Sequence, residues 1–456
     1  MAENIEPVAI GAVDEQHLQS NMRKVALTAL AGTSIEWYDF FLYATAAALV
    51  FPAAFFPGSS PTIGLILSFG TFAFGFIARP LGGILFGHFG DRVGRKKTLV
   101  IALVLMGVAS TLIGLLPTYS TIGIAAPVLL TVLRFAQGLA IGGQWGGAML
   151  LLTESAPADQ RGYYGAYAQA GAPVGVILAN LAFMIISAMV SEEFFMNWGW
   201  RIPFIASVLL IAISMYIQLH MEDTDAFKEL EAAKIKKQLE GKVEQAQPIK
   251  RSPVLEALVK YPKRIALAAG AFLSIQVTFY ILIGFVLAYG GDPNGAALSR
   301  DSMLGAVLLA SAIQIPTQFM AASWSDRHGR RGIFMLGAIL TGLWAFVLFP
   351  LIDTGNFWLI VVAISGGLMF LGMMYGPQAA FFTELFSTEV RYSGASLGYQ
   401  IGAIVGGAFA PTIATILWTE YDIIWVSVYI AIASALSLLS VVYLTETYKT
   451  SLHDTD

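Results

Sequence analysis

Gly87-His88-Phe89-Gly90-Asp91-Arg92-Val93-Gly94-Arg95-Lys96-Lys97 is a charged cassette between two long apolar stretches. A shorter echo, Ser325-Asp326-Arg327-His328-Gly329-Arg330-Arg331, returns 235 residues later by the Asp91 to Asp326 offset. A second pair keeps nearly the same register. Glu154 precedes Arg161 by seven residues, Glu384 precedes Arg391 by seven, and the offset is 230. Polar loops recurring at fixed places between apolar spans imply a membrane protein made of two similar halves. Secondary carriers have this layout, with their site where the halves meet.

Composition agrees. Of 456 residues, 57% are hydrophobic and 12% charged, with a mean hydropathy of +0.70; soluble domains carry about 25% charged residues. The net charge of −4 says little, because placement outweighs the sum. With no cysteine, disulfide frameworks and thiol or zinc-thiolate chemistry are excluded. No cleaved leader is expected, since the first 24 residues are polar and the apolar run after them is too long for a signal peptide.

Measured against the ~20 residues needed to cross a bilayer, twelve spans are predicted. They lie at 25–52, 63–87, 98–116, 122–153, 162–190, 201–219, 264–289, 302–324, 332–352, 357–383, 393–418 and 423–444. The expected fold is therefore all-α, twelve transmembrane helices in two pseudo-symmetric six-helix bundles. The bundles are assigned to 25–219 and 264–444, with a tail at 1–24, a linker at 220–263 and a second tail at 445–456. The linker holds Lys234, Lys236, Lys237, Glu240, Lys242 and Glu244 and reads as a solvated connector. Of 26 Lys and Arg, 22 fall in the N-terminus, the even-numbered loops and the C-terminal tail. Positive charge stays inside, so both termini are expected in the cytoplasm of a multi-pass plasma-membrane protein.

Charge inside hydrocarbon costs about 2.5–3.5 kcal/mol per residue on the insertion scale, so the few instances point to chemistry. Glu36 and Asp39 are the only acids well inside a span, and Arg79 and Arg134 the only bases. All five histidines lie in loops, tails or span ends, so an intramembrane proton site must be a carboxylate. Burial raises a carboxylate's pKa and a neighbouring Arg lowers it, the competition a proton-coupled carrier needs. For Arg79, ligating substrate, pairing with an acid and snorkelling to the surface all remain open.

Helical spacing supplies companions. Glu36, Asp39 and Tyr43 share one face; so do Arg134, Gln137, Ile141 and Trp145, and Gln169, Pro173 and Asn180. In the second half Gln276 pairs with Tyr280, and Tyr375 with Gln378. These faces suggest a central wet cavity, or interhelical hydrogen bonds worth ~0.6 kcal/mol each. The expected substrate-binding set is Arg134, Arg79, Tyr43, Gln137, Trp145, Gln169, Gln276, Tyr280, Tyr375 and Gln378.

The Gly-x3-Asp-Arg-x-Gly-Arg-Lys loop resembles the signature of the major facilitator superfamily. Glu36-Trp37-Tyr38-Asp39-Phe40, Arg79-Pro80-Leu81-Gly82-Gly83, Arg134-Phe135-Ala136-Gln137-Gly138 and Val390-Arg391-Tyr392-Ser393-Gly394 resemble its metabolite:proton symporters, in order along the chain. The resemblance implies import of an organic acid such as shikimate, α-ketoglutarate or citrate, or of a solute such as proline or betaine, driven by a proton gradient with no bound cofactor. Gln144 stands where that family usually has Glu, so no carboxylate role carries over there. Betaine members of the osmosensing kind end in a long charged tail, whereas about a dozen residues follow Thr445 here.

The cassettes are expected to gate. Asp91, Arg95, Glu154 and Arg161 can form one charge network, and Asp326, Arg330, Glu384 and Arg391 its repeat; the resemblance further implies that Asp91 faces the N-terminus of the eleventh span. The leading expectation is a monomeric symporter for a small organic acid, with Glu36 and Asp39 coupling protons. A zwitterion carrier is the second reading, since Trp37, Trp145, Tyr280 and Tyr375 can box a quaternary amine. Gly171-Ala172-Pro173-Val174-Gly175 resembles an incomplete antiporter motif, a weak pointer to export. A membrane enzyme ranks last: the chain lacks a His-Glu-x-x-His, a Gly-x-Ser-x-Gly elbow and a P-loop, and ATP-driven transport falls with the P-loop. No metal or nucleic-acid partner is expected.

Overall fold

The computed structural model describes residues 10–93, 95–144, 147–223, 253–387 and 390–449. Each predicted span falls on a helical stretch. In the first half these are α1 (Ile10–Leu49), α2 (Pro61–Val93), α3 (Arg95–Leu115), α4 (Ala125–Gln144, with Gly147–Ser155 beyond), α5 (Arg161–Met189) and α6 (Arg201–Asp223). In the second they are α7 (Pro262–Tyr280, continued by Ile281–Phe285 and Val286–Gly291), α8 (Arg300–His328), α9 (Arg330–Ile352), α10 (Phe357–Glu384), α11 (Arg391–Gly402, Ala403–Ala408 and Ala410–Glu420) and α12 (Ile424–Tyr443). Among the described residues nine helices are long and apolar enough by themselves to cross a bilayer. The pair Glu192–Gly199 and Arg201–Ile217, bent by 49°, makes a tenth. Helix is what the membrane demands, because hydrocarbon offers the backbone no other hydrogen-bond partner. The 40-residue α1 begins well before its apolar span, since a helix needs only backbone pairing whereas a span also needs apolar side chains.

The packing repeats after six helices. Within the first half α2 lies on α4, α1 on α5 and α3 on α6; within the second α8 lies on α10, α7 on α11 and α9 on α12. The halves meet through α2 with α11 and through α5 with α8, pairs that exchange under the same six-helix shift. The peripheral helices turn apolar faces outward. Ile101, Val104, Val108 and Leu112 on α3 are all exposed and share one face, as Ile432, Leu436 and Leu439 do on α12. Exposed apolar surface this continuous belongs against lipid.

Small residues fix the tightest seam. A Cβ on Gly142 of α4 would run into the Arg79 carbonyl of α2; one on Gly138 would meet the Gly75 carbonyl, and one on Gly82 the Leu139 carbonyl. The helices therefore touch backbone to backbone, which only glycine allows. Among the described residues three stretches are locally widened into π-helix, Phe195–Gly199 ahead of α6, Ile281–Phe285 in α7 and Ala403–Ala408 in α11, a distortion frequent at functional sites.

Gly142→Leu is expected to exceed the usual overpacking penalty of about 1–3 kcal/mol, because the obstacle is backbone. Thermal unfolding in detergent should show a large drop in midpoint. Gly58→Ala, with nothing within 4 Å of the added carbon, should leave it unchanged.

Candidate functional site

The deep charges converge in the first bundle. Asp39 of α1 is fully buried. It accepts a hydrogen bond from Ser110 of α3 and a long one, 3.5 Å, from the Gln137 amide of α4. Gln137 also donates to Ser110 Oγ at 2.6 Å, and its carbonyl oxygen accepts from Arg134 Nη1 at 3.1 Å. The amide thus stands between base and acid. Glu36, one turn earlier on α1, is half-buried.

Aromatic rings hold both guanidiniums. That of Arg134, 0% exposed, lies 3.9 Å from the Phe40 centroid and 4.3 Å from that of Tyr43. Gly75 leaves room for it, since a Cβ there would press on Nε at 2.6 Å. Tyr43 is anchored in turn by Thr71 at 2.7 Å. Arg79, 1% exposed, does not snorkel; it lies 4.3 Å from Phe40, 4.4 Å from Phe76 and 5.4 Å from Trp37. Among the described residues no Arg79 nitrogen makes a well-formed hydrogen bond, although the Tyr280 hydroxyl faces the guanidinium. Such stacking contributes about 2 kcal/mol or more per desolvated contact, less than a buried guanidinium gives up in hydration.

Beside this core, between the halves, lies a small cavity. Trp37 and Phe41 of α1 face Gln276 and Tyr280 of α7, Tyr375 of α10 and Tyr399 of α11 across it. Tyr280 joins the cavity to the arginines. Its ring reaches into the first half, 5.0 Å from Phe76 and 5.6 Å from Phe72, and its hydroxyl faces Arg79. Gly407, in the π-helical part of α11, lets that ring pass.

The halves are clasped at both ends. At the cassette end Arg330, 0% exposed, sits between Asp326 at 2.6 Å and Glu384 at 3.0 Å. Arg161 reaches Glu384 across the halves at 3.7 Å, and Arg391 reaches Glu154 at 3.2 Å. Asp326 accepts from the backbone N–H of Gly162 at 2.7 Å and of Tyr163 at 2.9 Å, the open N-terminus of α5. Among the described residues these charges link the two halves. Deeper in, the Gln169 amide donates to Gln378 at 2.7 Å, closing the same side. At the opposite end Arg300 of α8 grips Glu192 at 2.8 and 2.7 Å and Ser187 at 2.8 Å.

The side chains of Asp91 and Arg95 and the whole of Trp145 lie outside the described residues, as does most of the linker. Sequence reading missed Ser110, the cage of Phe40, Phe72 and Phe76, and the Arg300 clasp. Serine and phenylalanine in an apolar helix carry no signal of their own; the clasp was visible only as the sole basic residue among loops otherwise holding acids.

Two like bundles with buried charge and a small cavity at their junction define a membrane transporter of the major facilitator superfamily. The chain belongs to the sugar (and other) transporter family, whose model matches residues 24–456. It is similar to the inner membrane metabolite transport protein YhjE of Escherichia coli K12, at 40% identity over 96% of this chain and 98% of that protein. To the shikimate transporter of the same organism it is 40% identical, over 90% of this chain and 91% of the relative. A proline/betaine transporter of Salmonella typhimurium is 31% identical over 97% and 87%. The proton:xylose symporter XylE shares the fold, with a TM-score of 0.71 over 95% of this chain and 98% of that one, at 16% identity.

Asp326→Asn is expected to loosen closure at the cassette end. Losing a charge at a helix N-terminus is worth about 0.3–2 kcal/mol, a several-fold change in the balance of states. The chain has no cysteine to remove. A single cysteine at Ala166, which is 0% exposed and whose carbonyl meets Gln318 across the halves, should then react several-fold faster with a water-soluble maleimide. Unchanged reactivity would reduce Asp326 to a packing contact.

Proposed function

We propose that this chain imports a small organic acid together with protons, its cavity opening alternately to the two sides of the membrane. The excess of Lys and Arg at the cassette end supports placing that end, and both termini, in the cytoplasm. The observation that carries the reading is the pair of guanidiniums held wholly out of water, Arg134 tied only to an amide and Arg79 to rings. A buried cation held this way is a receptor for an anion. Asp39, joined to Arg134 through Gln137, couples the two events: once it takes up a proton, the group of charges turns more positive and an anion is bound more strongly. Glu36, on the same face, is the second acid of the coupling pair. The remaining substrate-binding assignments rest on Gln276, Tyr280 and Tyr375 lining the cavity, with Tyr43 and Gln137 positioning Arg134. A relative named for shikimate, an acid, and a fold neighbour named as a proton symporter support the reading. A betaine or proline carrier is the second reading, favoured by the ring-lined cavity and the proline/betaine relative.

In proteoliposomes, an imposed pH gradient should drive accumulation of a labelled acid by the natural protein. Asp39→Asn should abolish accumulation while leaving exchange of internal for external substrate measurable; Glu36→Gln should at least impair it. Accumulation surviving in both variants would sink the coupling assignment.

Arg134→Ala should weaken binding of the same acid tenfold or more. Arg134→Lys should restore little of it, because an ammonium cannot reproduce the planar fork that meets a carboxylate bidentately. Near-normal affinity in the Lys variant argues against recognition of the anion by Arg134.

A further inference from the structure

A short helix, Pro253–Lys260, precedes the second bundle and is joined to α7 through Tyr261 alone. It stands at the cassette end and lies on the first turns of α11. Its apolar side chains point two ways. Ala257 is 0% exposed, whereas Leu255, Leu258 and Val259, at helical spacing on the opposite side, are 48%, 41% and 61% exposed. The α11 helix beneath it turns Ile401, Val405 and Phe409 outward along one face, a surface that belongs against lipid. Basic residues collect where the short helix ends. Lys260, Lys263 and Arg264 are all exposed, and among the described residues none of them forms an ion pair. Tyr261 stands between two of them, its ring 5.5 Å from Lys260 Nζ and 5.1 Å from the Arg264 guanidinium. The group is fixed in place. Arg264 donates to the Leu385 carbonyl at 3.1 Å, and the Tyr261 hydroxyl lies 3.3 Å from Ser387 Oγ.

We propose that the helix Pro253–Lys260 lies in the headgroup layer of the leaflet at the cassette end, and that Lys260, Lys263 and Arg264 hold the phosphate of an anionic phospholipid there. A helix with one open apolar face and cations at its rim settles at this boundary, its lysine stems lying along the hydrocarbon while their ammoniums reach the headgroups. Each Lys or Arg at an anionic leaflet favours the bound state about fivefold. A phosphatidylethanolamine headgroup brings its own ammonium, which the three cations repel; phosphatidylglycerol brings only the phosphate charge. Guanidinium and phosphate also suit one another in geometry. A second copy of the chain is a poorer occupant of the open face, because pairing two such faces would set two sets of like charges together. The Arg264 and Tyr261 contacts tie the site to the turn that follows Glu384, so a lipid held here sits beside the cassette-end clasp.

The test is contact quenching in vesicles that mix phosphatidylethanolamine with phosphatidylglycerol. The full-length chain has no cysteine, so a fluorophore can be placed by a single substitution. Val259→Cys probes the site, and Leu343→Cys on α9, where the side chain is 64% exposed, serves as a reference against lipid. Bromine is carried on the acyl chains of one lipid or of the other. The ratio of the two quenching strengths gives the lipid preference at each probe and cancels its depth. At Val259 phosphatidylglycerol should be preferred about fivefold or more, and at Leu343 hardly at all. Lys260→Gln with Lys263→Gln should bring the Val259 preference down to the Leu343 level, Arg264 being kept for its bond to Leu385. Arg23→Gln with Lys24→Gln, which removes two exposed bases on α1, should leave it unchanged. Equal quenching by both lipids at Val259 overturns the anionic site. Quenching by neither puts that face against water or another protein and overturns the proposal outright. A preference that survives the Lys260 and Lys263 changes, or falls equally with those at Arg23 and Lys24, belongs to the general charge of this end and overturns it too.

Discussion

Removing a guanidinium from water is the constraint around which the first bundle is arranged. Arg79 and Arg134 sit on neighbouring helices in a region where charge is expensive, and each is held by ring faces rather than by a carboxylate. That solution depends on space. α2 and α4 approach backbone to backbone along Gly75, Gly82, Gly138 and Gly142, bringing the two side chains side by side against Phe40. It also depends on α1, which contributes both the ring and Asp39 from one turn of helix. The glycine seam, the aromatic cage and the acid are therefore one device, which holds two positive charges out of water against rings and an amide.

The second bundle answers with shape and hydrogen bonding. Tyr280 crosses the interface to stand before Arg79, and the widened turns of α7 and α11 lie beside it. Clasps at both ends hold the bundles together, each made of groups whose alternative is water. At the cassette end the α5 N-terminus sits on Asp326, and Arg161 and Arg391 reach across. At the other end Arg300 closes on Glu192. In the proposed alternating-access cycle one clasp opens while the other stays shut. The two differ usefully: the Arg330 pair is fully buried, whereas the Glu192 side chain is 70% exposed and its ion pair correspondingly weak.

Much of this was legible in the sequence because the membrane makes composition decisive. Apolar runs long enough to cross must be helices, and the repeat of Asp91 at Asp326 marks two halves. Charges within the runs are too costly to be incidental, so Glu36, Asp39, Arg79 and Arg134 stood out without any structure. The π-helical turns at Ile281 and Ala403 could not be read this way, because an extra residue in a helical turn leaves an apolar sequence looking the same.

The sequence by itself determined the spans, the twofold plan and which ionisable groups lie deep, since each follows from the free energy of moving one segment or one side chain out of water. Only the tertiary structure decided which groups meet. The spacing of Glu154 and Arg161 gave no hint that Arg161 would also reach Glu384, and Arg391 Glu154, across the halves. Gln137 approaches Asp39 as well, and Ser110, Phe40 and Phe72 join the site though their residue types gave no sign of it. Partners of this kind are set by the rotation and crossing of whole helices. Those depend on packing summed over many contacts, none of which is written in the residues at either end of a single bond.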